Sequence, residues 1–534
     1  MLLTAATIWT GTGAVIDAGT IAIEGGRIAA ITTGPPPSGT SASDVIDLPG
    51  HTILPGFQDA HCHPGHGGVR RLSCDLTDAD SRPACVSAVA AYALANPHDP
   101  WVTGGGWRMS HFPGGNPRRE DLDRVVPDRP VFLVNADGHG AWVNSRALEL
   151  AGVAADTPDP VDGRIERDPD GGPTGALHEG AMDLVRRHLP PSGPDRQVEA
   201  HRAGQQHLHE LGVTAWSDAW VTPAELAAYQ TLADAGELTA RVTAALWWER
   251  DRGLEQIDDL VAQRGATHGE RLSAGTVKIM ADGVVENGTA AMLEPYLDPD
   301  GGPTTNVGLR HLDPELLTAA VVELDRLGFQ VHVHAIGDAA VRDALDAFAA
   351  ARRAGGSGRR HTIAHLQVVA AEDLPRFAEL GVIANAQPYW AQFEPQMTEL
   401  TLPLLGPVRG DLQYPWAGLL AHGAVLAFGS DWPVSTADPL RGVEVAITRT
   451  DPEHRGAQPF LPEQRIGLHD ALVAATRGSA FVNGTADSTG TVAPGMAADL
   501  AVLDGRLVGR DAVAPADLTV ALTMVDGVIV HEAP

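Results

Sequence analysis

Apolar and polar positions along the chain fall into two regimes. From residue 213 to 432, short apolar runs finish at a polar or catalytic-looking residue and give way to helix-like stretches in a repeating pattern. Counting the run at 53–61, there are eight: ILPGFQDAH (53–61), VTAWSDA (213–219), RVTAALWW (241–248), TVKIMADG (276–283), FQVHVHAIG (329–337), HTIAHLQ (361–367), GVIANAQPYW (381–390) and AVLAFGSDW (424–432). Ala/Leu-rich segments such as AAVRDALDAFAAARR (339–353) lie between several of them. Alternating strands and helices imply a parallel sheet, and eight repeats imply closure into a (β/α)8 TIM-type barrel, an α/β fold. In such a barrel, chemistry collects at the C-terminal ends of the strands.

The chain ends read differently. TIAIEGGRIAAI and, near the C-terminus, ADLAVLDG and LTVALTMVDGVIV show β-type alternation with Gly-Gly and Asp-Gly turns. Residues 1–55 and 485–534 are therefore expected to build one small β-sandwich, with PPPSGTSAS (35–43) as a loop inside it. The barrel takes 56–72 and 201–484. The alternation is interrupted from residue 64 to 200 by Gly/Pro-rich turns around a strand, PVFLVNADG, and 73–200 reads as an insertion or lid domain. Inserts of that length are usually functional. It is expected to fold over the barrel mouth and to set substrate choice.

Charge narrows the function. With 38 basic and 68 acidic residues the formal net charge is −30, which repels phosphate backbones and anionic membranes, so neither nucleic acid nor membrane is an expected partner. The first residues, MLLTAATIWTGTG, lack a basic segment followed by an apolar one. The three cysteines, Cys62, Cys74 and Cys85, form no disulfide framework or CxxC knuckle and read as reduced thiols of a cytoplasmic protein.

Of the 38 basic residues, 37 are arginine and one, Lys278, is lysine. Arginine cannot lose its proton in a protein, whereas a buried lysine can become a neutral nucleophile. Lys278, between Val277 and Ile279, is thus expected to react, forming a Schiff base or taking up carbon dioxide as a carbamate.

The strand ends carry the candidate chemistry. Alternation points residues i and i+2 to one face, so His61 and His63 can reach one metal while Cys62 turns away. Imidazole suits zinc and its first-row neighbours. In VHVHAIGD, His334 lies nearer the strand end and His332 reads as a satisfied core histidine. In RHTIAHLQ, His365 is preferred over His361 on the same ground, and Asp431 of FGSDWP reads as a general base or metal ligand.

In that order, HxH then Lys, His, His and Asp over successive strands, the chain resembles the amidohydrolase superfamily. The strings LPGFQDAHCH, VKIMADGVVENGTAAMLEPY, HVHAIGDAA, IAHLQ, FGSDWPV and GTVAPGMAADLAVLD are similar to its N-substituted formamide deformylase-like branch, as are DGHGAWVNSRAL and PTGALHEGA in the insert. The resemblance implies one or two divalent ions per chain, zinc first among them. His61 and His63 would hold one ion, a carbamylated Lys278 would bridge to a second, His334 and His365 would hold the second, and Asp431 would serve as ligand and acid–base residue.

These residue types fit amide hydrolysis, since zinc-bound water ionises near neutral pH and a carboxylate can shuttle its proton. The expected substrate is a small N-substituted amide with an apolar group. Six of eleven tryptophans (Trp216, Trp220, Trp247, Trp248, Trp390, Trp432) fall in or just after barrel strands and suggest an aromatic-lined pocket. Candidate substrate contacts are Trp107, His139, Asn144, Glu179 and Trp390, and Asp282 could orient Lys278 or the second ion from behind. A cyclic amide or ester substrate is the enzymatic alternative. A regulatory protein on a decayed barrel is the non-enzymatic one, and the intact ligand set speaks against it. A homodimer is one assembly this reading allows.

Overall fold

The computed structural model describes all residues except 35–44, 137, 161, 162, 191, 192, 299, 357 and 359, so the loop expected at 35–43 lies almost wholly outside the described residues. The chain forms two compact units, one of residues 1–63, 205–431 and 436–534, the other of 64–204 with 432–435.

In the first unit the eight expected strands are all present. They are β1 (Phe57–Cys62), β2 (Val213–Val221), β3 (Arg241–Trp247), β4 (Leu272–Met280), β5 (Gln330–Ala335), β6 (Thr362–His365), β7 (Ile383–Ala386) and β8 (Leu426–Phe428). Each pairs in parallel with the next, in sequence order. From β2 onward every crossover contains a helix: Pro223–Asp234, Ile257–Ala266, Pro314–Arg326, Asp338–Arg353, Leu374–Leu380 and Trp416–Ala421. Local sequence explains them. Thr222 and Glu225 cap the first reciprocally with Pro at its start, and the fourth buries Val341, Ala344, Leu345, Phe348 and Ala351 on one stripe. The ends of the sheet meet where the Asp431 amide donates to the His61 carbonyl at 2.7 Å and Asn385 Nδ2 donates to the Ala60 carbonyl at 2.8 Å. The barrel is nearly closed and of the TIM type.

The run expected as one strand at 53–61 is two. Thr52–Pro55 pairs with Leu2–Trp9 and with Leu500–Leu503, whereas β1 belongs to the barrel. Gly56 makes the switch: its amide donates to the Asp499 carbonyl at 2.8 Å, and a Cβ there would stand 2.4 Å from the Thr214 side chain. Apolar periodicity could not show the break, because both pieces are buried throughout.

Strands from both chain ends join in one eight-stranded sheet around Leu3, Ile8, Ile21, Ile53, Leu500, Val502 and Met524. An ion cluster ties this sheet to the barrel. Arg241 of β3 donates to Asp499 at 2.8 Å and also bonds Asp526, while Arg271 reaches Asp526 at 2.7 Å. At the opposite ends of the strands from His61, the helix Ser479–Val482 plugs the barrel. Thr243 and Gln330 donate to the Asn483 and Val482 carbonyls, and Asn483 donates to Gln58.

The second unit has its own six-stranded sheet, ordered 163–167, 173–179, 140–143, 131–135, 102–107 and 74–75, over a core that includes Phe132, Val143, Leu148 and Leu177. No helix among the described residues is long and apolar enough to cross a membrane.

The ion cluster gives a stability test. Arg241→Leu leaves Asp499, almost wholly buried, facing Asp526 without the cation between them. Denaturant unfolding should show a loss of roughly 3 kcal/mol, as for a buried ion pair stripped of one partner. A loss under about 0.5 kcal/mol would mean the cluster is decorative.

Candidate metal centre

The barrel brings His61 (β1), Lys278 (β4), His332 and His334 (β5) and His365 (β6) to neighbouring strand positions, with His63 and Asp431 just past β1 and β8. Register aligns Lys278 with His332, Met280 with His334, and Ala335 with His365. The ligand atoms of His61, His63 and Asp431 lie within 4.8 Å of one another. Asp431 Oδ1 is 2.9 Å from His63 Nε2 and 3.3 Å from His61 Nε2. The His365 ring centre stands 4.7 Å from that of His61 and 4.4 Å from that of His334.

Burial makes this cluster demanding. His61 and His332 are wholly buried, and His334, His365, Lys278 and Asp431 are each at most 5% exposed. Burial, reinforced for His61 and His332 by Lys278 and for His365 by His334, holds these three imidazoles well below the usual histidine range, in the neutral ligand form. Burial also lowers Lys278 to about 8. It pushes the other way on Asp431, yet a hydrogen bond from His63 and the nearby Lys278 ammonium outweigh it and leave the carboxyl below its ordinary value.

Backbone strain falls at the same place. His365 (φ 80°) and Asp431 (φ 56°) lie in the left-handed region, a cost of about 1–3 kcal/mol each that persists only where the surroundings dictate it. Both ring nitrogens of His365, and Nδ1 of His332, are buried without a hydrogen-bond partner among the described residues. Buried imidazole nitrogens rarely stay unpaired. Unpaired neutral imidazoles beside one carboxylate are the donor set of a first-row divalent ion, so the residues fit such an ion.

Supporting groups surround the ligands. Asp282 accepts from His334 Nδ1 at 3.1 Å and from the amides of Ala291, Ile336 and Gly337; it orients His334 rather than Lys278. His332, expected as a satisfied core residue, is part of the cluster, its Nε2 2.9 Å from His61 Nδ1. Its place on the same strand face as His334 was the available signal. Asp59 was not anticipated. It accepts from the amides of His61 (2.9 Å) and Ser430 (3.0 Å) and from the Ser430 hydroxyl (2.5 Å), and burial raises it to about 7. Only the approach of the segment after β8 to β1 reveals it. Cys62 is buried, directed at the Ser217 carbonyl, and burial raises its thiol well above the usual range.

The substrate-contact candidates part company. Trp390 stacks on His365, 5.4 Å between ring centres and 3° from parallel. Trp220 stacks on Trp247 at 4.3 Å and presents an edge to His63, while Trp216 and Trp248 are buried. The others belong to the second unit. There Trp107 is buried, with its indole N–H on the Leu133 carbonyl. Asn144 caps the helix Ser145–Ala151, accepting from Val131 and Ala147 and donating to the Val126 and Arg129 carbonyls, so all its polar groups are spent on backbone. His139 Nδ1 lies 3.0 Å from Glu179.

A parallel barrel with two histidines after its first strand, histidines on its fifth and sixth and an aspartate after its eighth defines the class of metal-dependent barrel hydrolases. The chain belongs to the amidohydrolase family, whose model matches residues 44–531. It is 30% identical to the YtcJ protein of Bacillus subtilis (strain 168), over 92% of each chain. It is 28% identical to the N-substituted formamide deformylase of Arthrobacter pascens, over 96% of this chain and 94% of that one. Among solved structures, an uncharacterized metal-dependent hydrolase from Pyrococcus horikoshii OT3 superimposes with a TM-score of 0.74 at 26% identity, covering 96% of this chain and 99% of its own.

Purified protein grown in zinc-supplemented medium should carry at least one divalent ion per chain by elemental analysis. His61→Ala and Asp431→Ala should each lower that content while leaving the fold intact by circular dichroism. Metal-free wild-type protein with activity indifferent to chelators would contradict the assignment.

Proposed function

We propose that the protein hydrolyses the non-peptide C–N bond of a small N-substituted amide bearing an apolar group. The observation that carries this is the convergence of neutral histidines, Lys278 and one ionised aspartate at the strand ends, beside exposed aromatic faces. The similarity to a formamide deformylase favours an amide over an ester or a cyclic amide.

His61, His63 and Asp431 would hold one divalent ion, with His334, His365 and a carbamylated Lys278 holding a second. Zinc is the first choice for an imidazole-rich set. Such ions supply a water ionised near neutral pH and a Lewis acid for the carbonyl oxygen. The chain's own residues do the rest. Asp431 takes the proton of the attacking water and returns it to the departing nitrogen, which requires the ionised carboxylate that the hydrogen bond from His63 favours. Asp282 fixes His334, and His332 fixes His61 through Nδ1, so Nε2 of His61 faces Asp431. Trp220, stacked on Trp247 and edge-on to His63, offers an apolar wall for the substituent.

Lys278 tests the reading most sharply, because it is the only lysine in the chain. Arginine keeps a cation but cannot form a carbamate. Lys278→Arg should therefore lose metal and activity beyond rescue. Lys278→Ala should recover part of both when acetate or propionate is added. A fully active Lys278→Arg enzyme would refute the carbamate. Turnover of a panel of N-formyl, N-acyl and cyclic amides alongside esters would settle the bond, and preference for a cyclic amide or ester would overturn the assignment made here.

A further inference from the structure

The end of β7 carries a polar group that the reading so far leaves unused. Gln387 follows Ala386, which is level with His365 of β6 and Phe428 of β8, and the Gly429 amide donates to the Ala386 carbonyl. The Gln387 side chain is 1% exposed. Its amide is oriented by a short chain of hydrogen bonds that starts on backbone. Asn385 Nδ2 donates to the Ala60 carbonyl at 2.8 Å, and Gln387 Nε2 donates to Asn385 Oδ1 at 3.0 Å.

The start of that chain fixes its polarity. A carbonyl can only accept, so Asn385 must turn its nitrogen to Ala60 and its oxygen to Gln387. Gln387 must then turn its own nitrogen to Asn385. The far end, Gln387 Oε1, is a buried acceptor with no hydrogen-bond partner among the described residues. Buried Gln58 and Gln205, by contrast, are engaged at both ends. Gln58 bonds Thr489, Asn483 and Thr485, and Gln205 bonds the Glu237 carbonyl and the Thr239 amide. An unpaired buried acceptor is costly, and its persistence calls for a donor that arrives from outside the chain.

The place is the candidate centre. Ala60 precedes His61, and a Cβ on Gly429 would lie 2.6 Å from His61 Cβ and 2.9 Å from Asn385 Oδ1. Gln387 is thus two hydrogen bonds from the backbone of β1, at the strand ends that carry His61, His365 and Asp431. Trp390, three residues on, stacks on His365. Gln392 also has an Oε1 without a partner among the described residues, but its side-chain nitrogen is tied to the Tyr389 carbonyl rather than to a strand-end side chain.

We propose that Gln387 is a specificity residue whose Oε1 accepts the N–H of a secondary amide substrate, an inference that rests on the amide-hydrolase reading above. Holding that N–H fixes the nitrogen's rotation, so the lone pair released as the C–N bond breaks is left for the proton that Asp431 returns. A site with a buried acceptor also discriminates against analogues that lack the donor, because they leave the acceptor unpaired.

Three compounds with one hydrocarbon group separate the possibilities: N-hexylformamide, N-hexyl-N-methylformamide and hexyl formate, tested on metal-loaded wild type, Gln387→Met and Gln387→Ala. In wild type, N-methylation should lower kcat/KM by tenfold or more, and that penalty should shrink in both variants. Gln387→Met should lower kcat/KM for N-hexylformamide about tenfold, the effect of one neutral hydrogen bond, and change hexyl formate by less than about twofold. Equal losses on amide and ester in correctly folded variants would overturn the role of Gln387 alone. If both variants fail to fold, wild type decides, and a negligible N-methylation penalty overturns the role. A wild-type enzyme that cleaves only hexyl formate, or none of the three, overturns the amide reading and this role together.

Discussion

Everything at the candidate centre depends on how the barrel closes. β8 is three residues long and runs out before the cluster begins. The seam is completed by the Asp431 amide on the His61 carbonyl and by Asp59, which gathers the amides of His61 and Ser430 on one carboxylate oxygen. Gly429 permits the approach, since any side chain there would collide with His61. A few individual hydrogen bonds between β1 and the segment after β8 thus set the spacing between the first and last residues of the ligand set. The left-handed backbone of Asp431 and His365 is the cost of turning their side chains toward one point.

The same closure explains the electrostatics. With the first and last strands brought together and the Ser479–Val482 helix bonded across the opposite end, burial becomes the largest influence on His61, His332, His365, Lys278 and Asp431. Burial keeps His61, His332 and His365 neutral, lowers Lys278 and would neutralise Asp431 were it alone. The carboxylate survives because several donors face it. One anion among neutral imidazoles is an arrangement suited to a divalent ion and poorly suited to a plain hydrophobic core.

Much of this was legible in the sequence. The eight strands stand out because each is an apolar run ending on a polar residue, and parallel barrels place chemistry there. His61, His63, His334, His365 and Asp431 follow from strand-end position and spacing, and Lys278 from its being the only lysine in the chain. What was hidden depends on pairing between distant segments. The break at Gly56, the role of Asp59 and the direction of the Asn385–Gln387 amides require knowing which strand lies beside which. Asn144 shows a second reading that the sequence also carried. A polar residue in a recognisable motif suggested substrate contact, yet an Asn before an apolar helical stretch is also a helix cap, and the backbone around it takes up every polar group it has.

The central claim is that hydrolysis at the barrel's strand ends depends on a divalent ion held by this cluster. A reactivation titration tests it most directly: strip the protein with a chelator, add zinc in steps, and follow bound metal and N-hexylformamide turnover together. The account predicts negligible turnover in stripped protein and recovery that rises with bound metal and saturates at one or two ions per chain. Full turnover in the stripped protein, or metal binding at that stoichiometry with no hydrolysis of any amide, would contradict it.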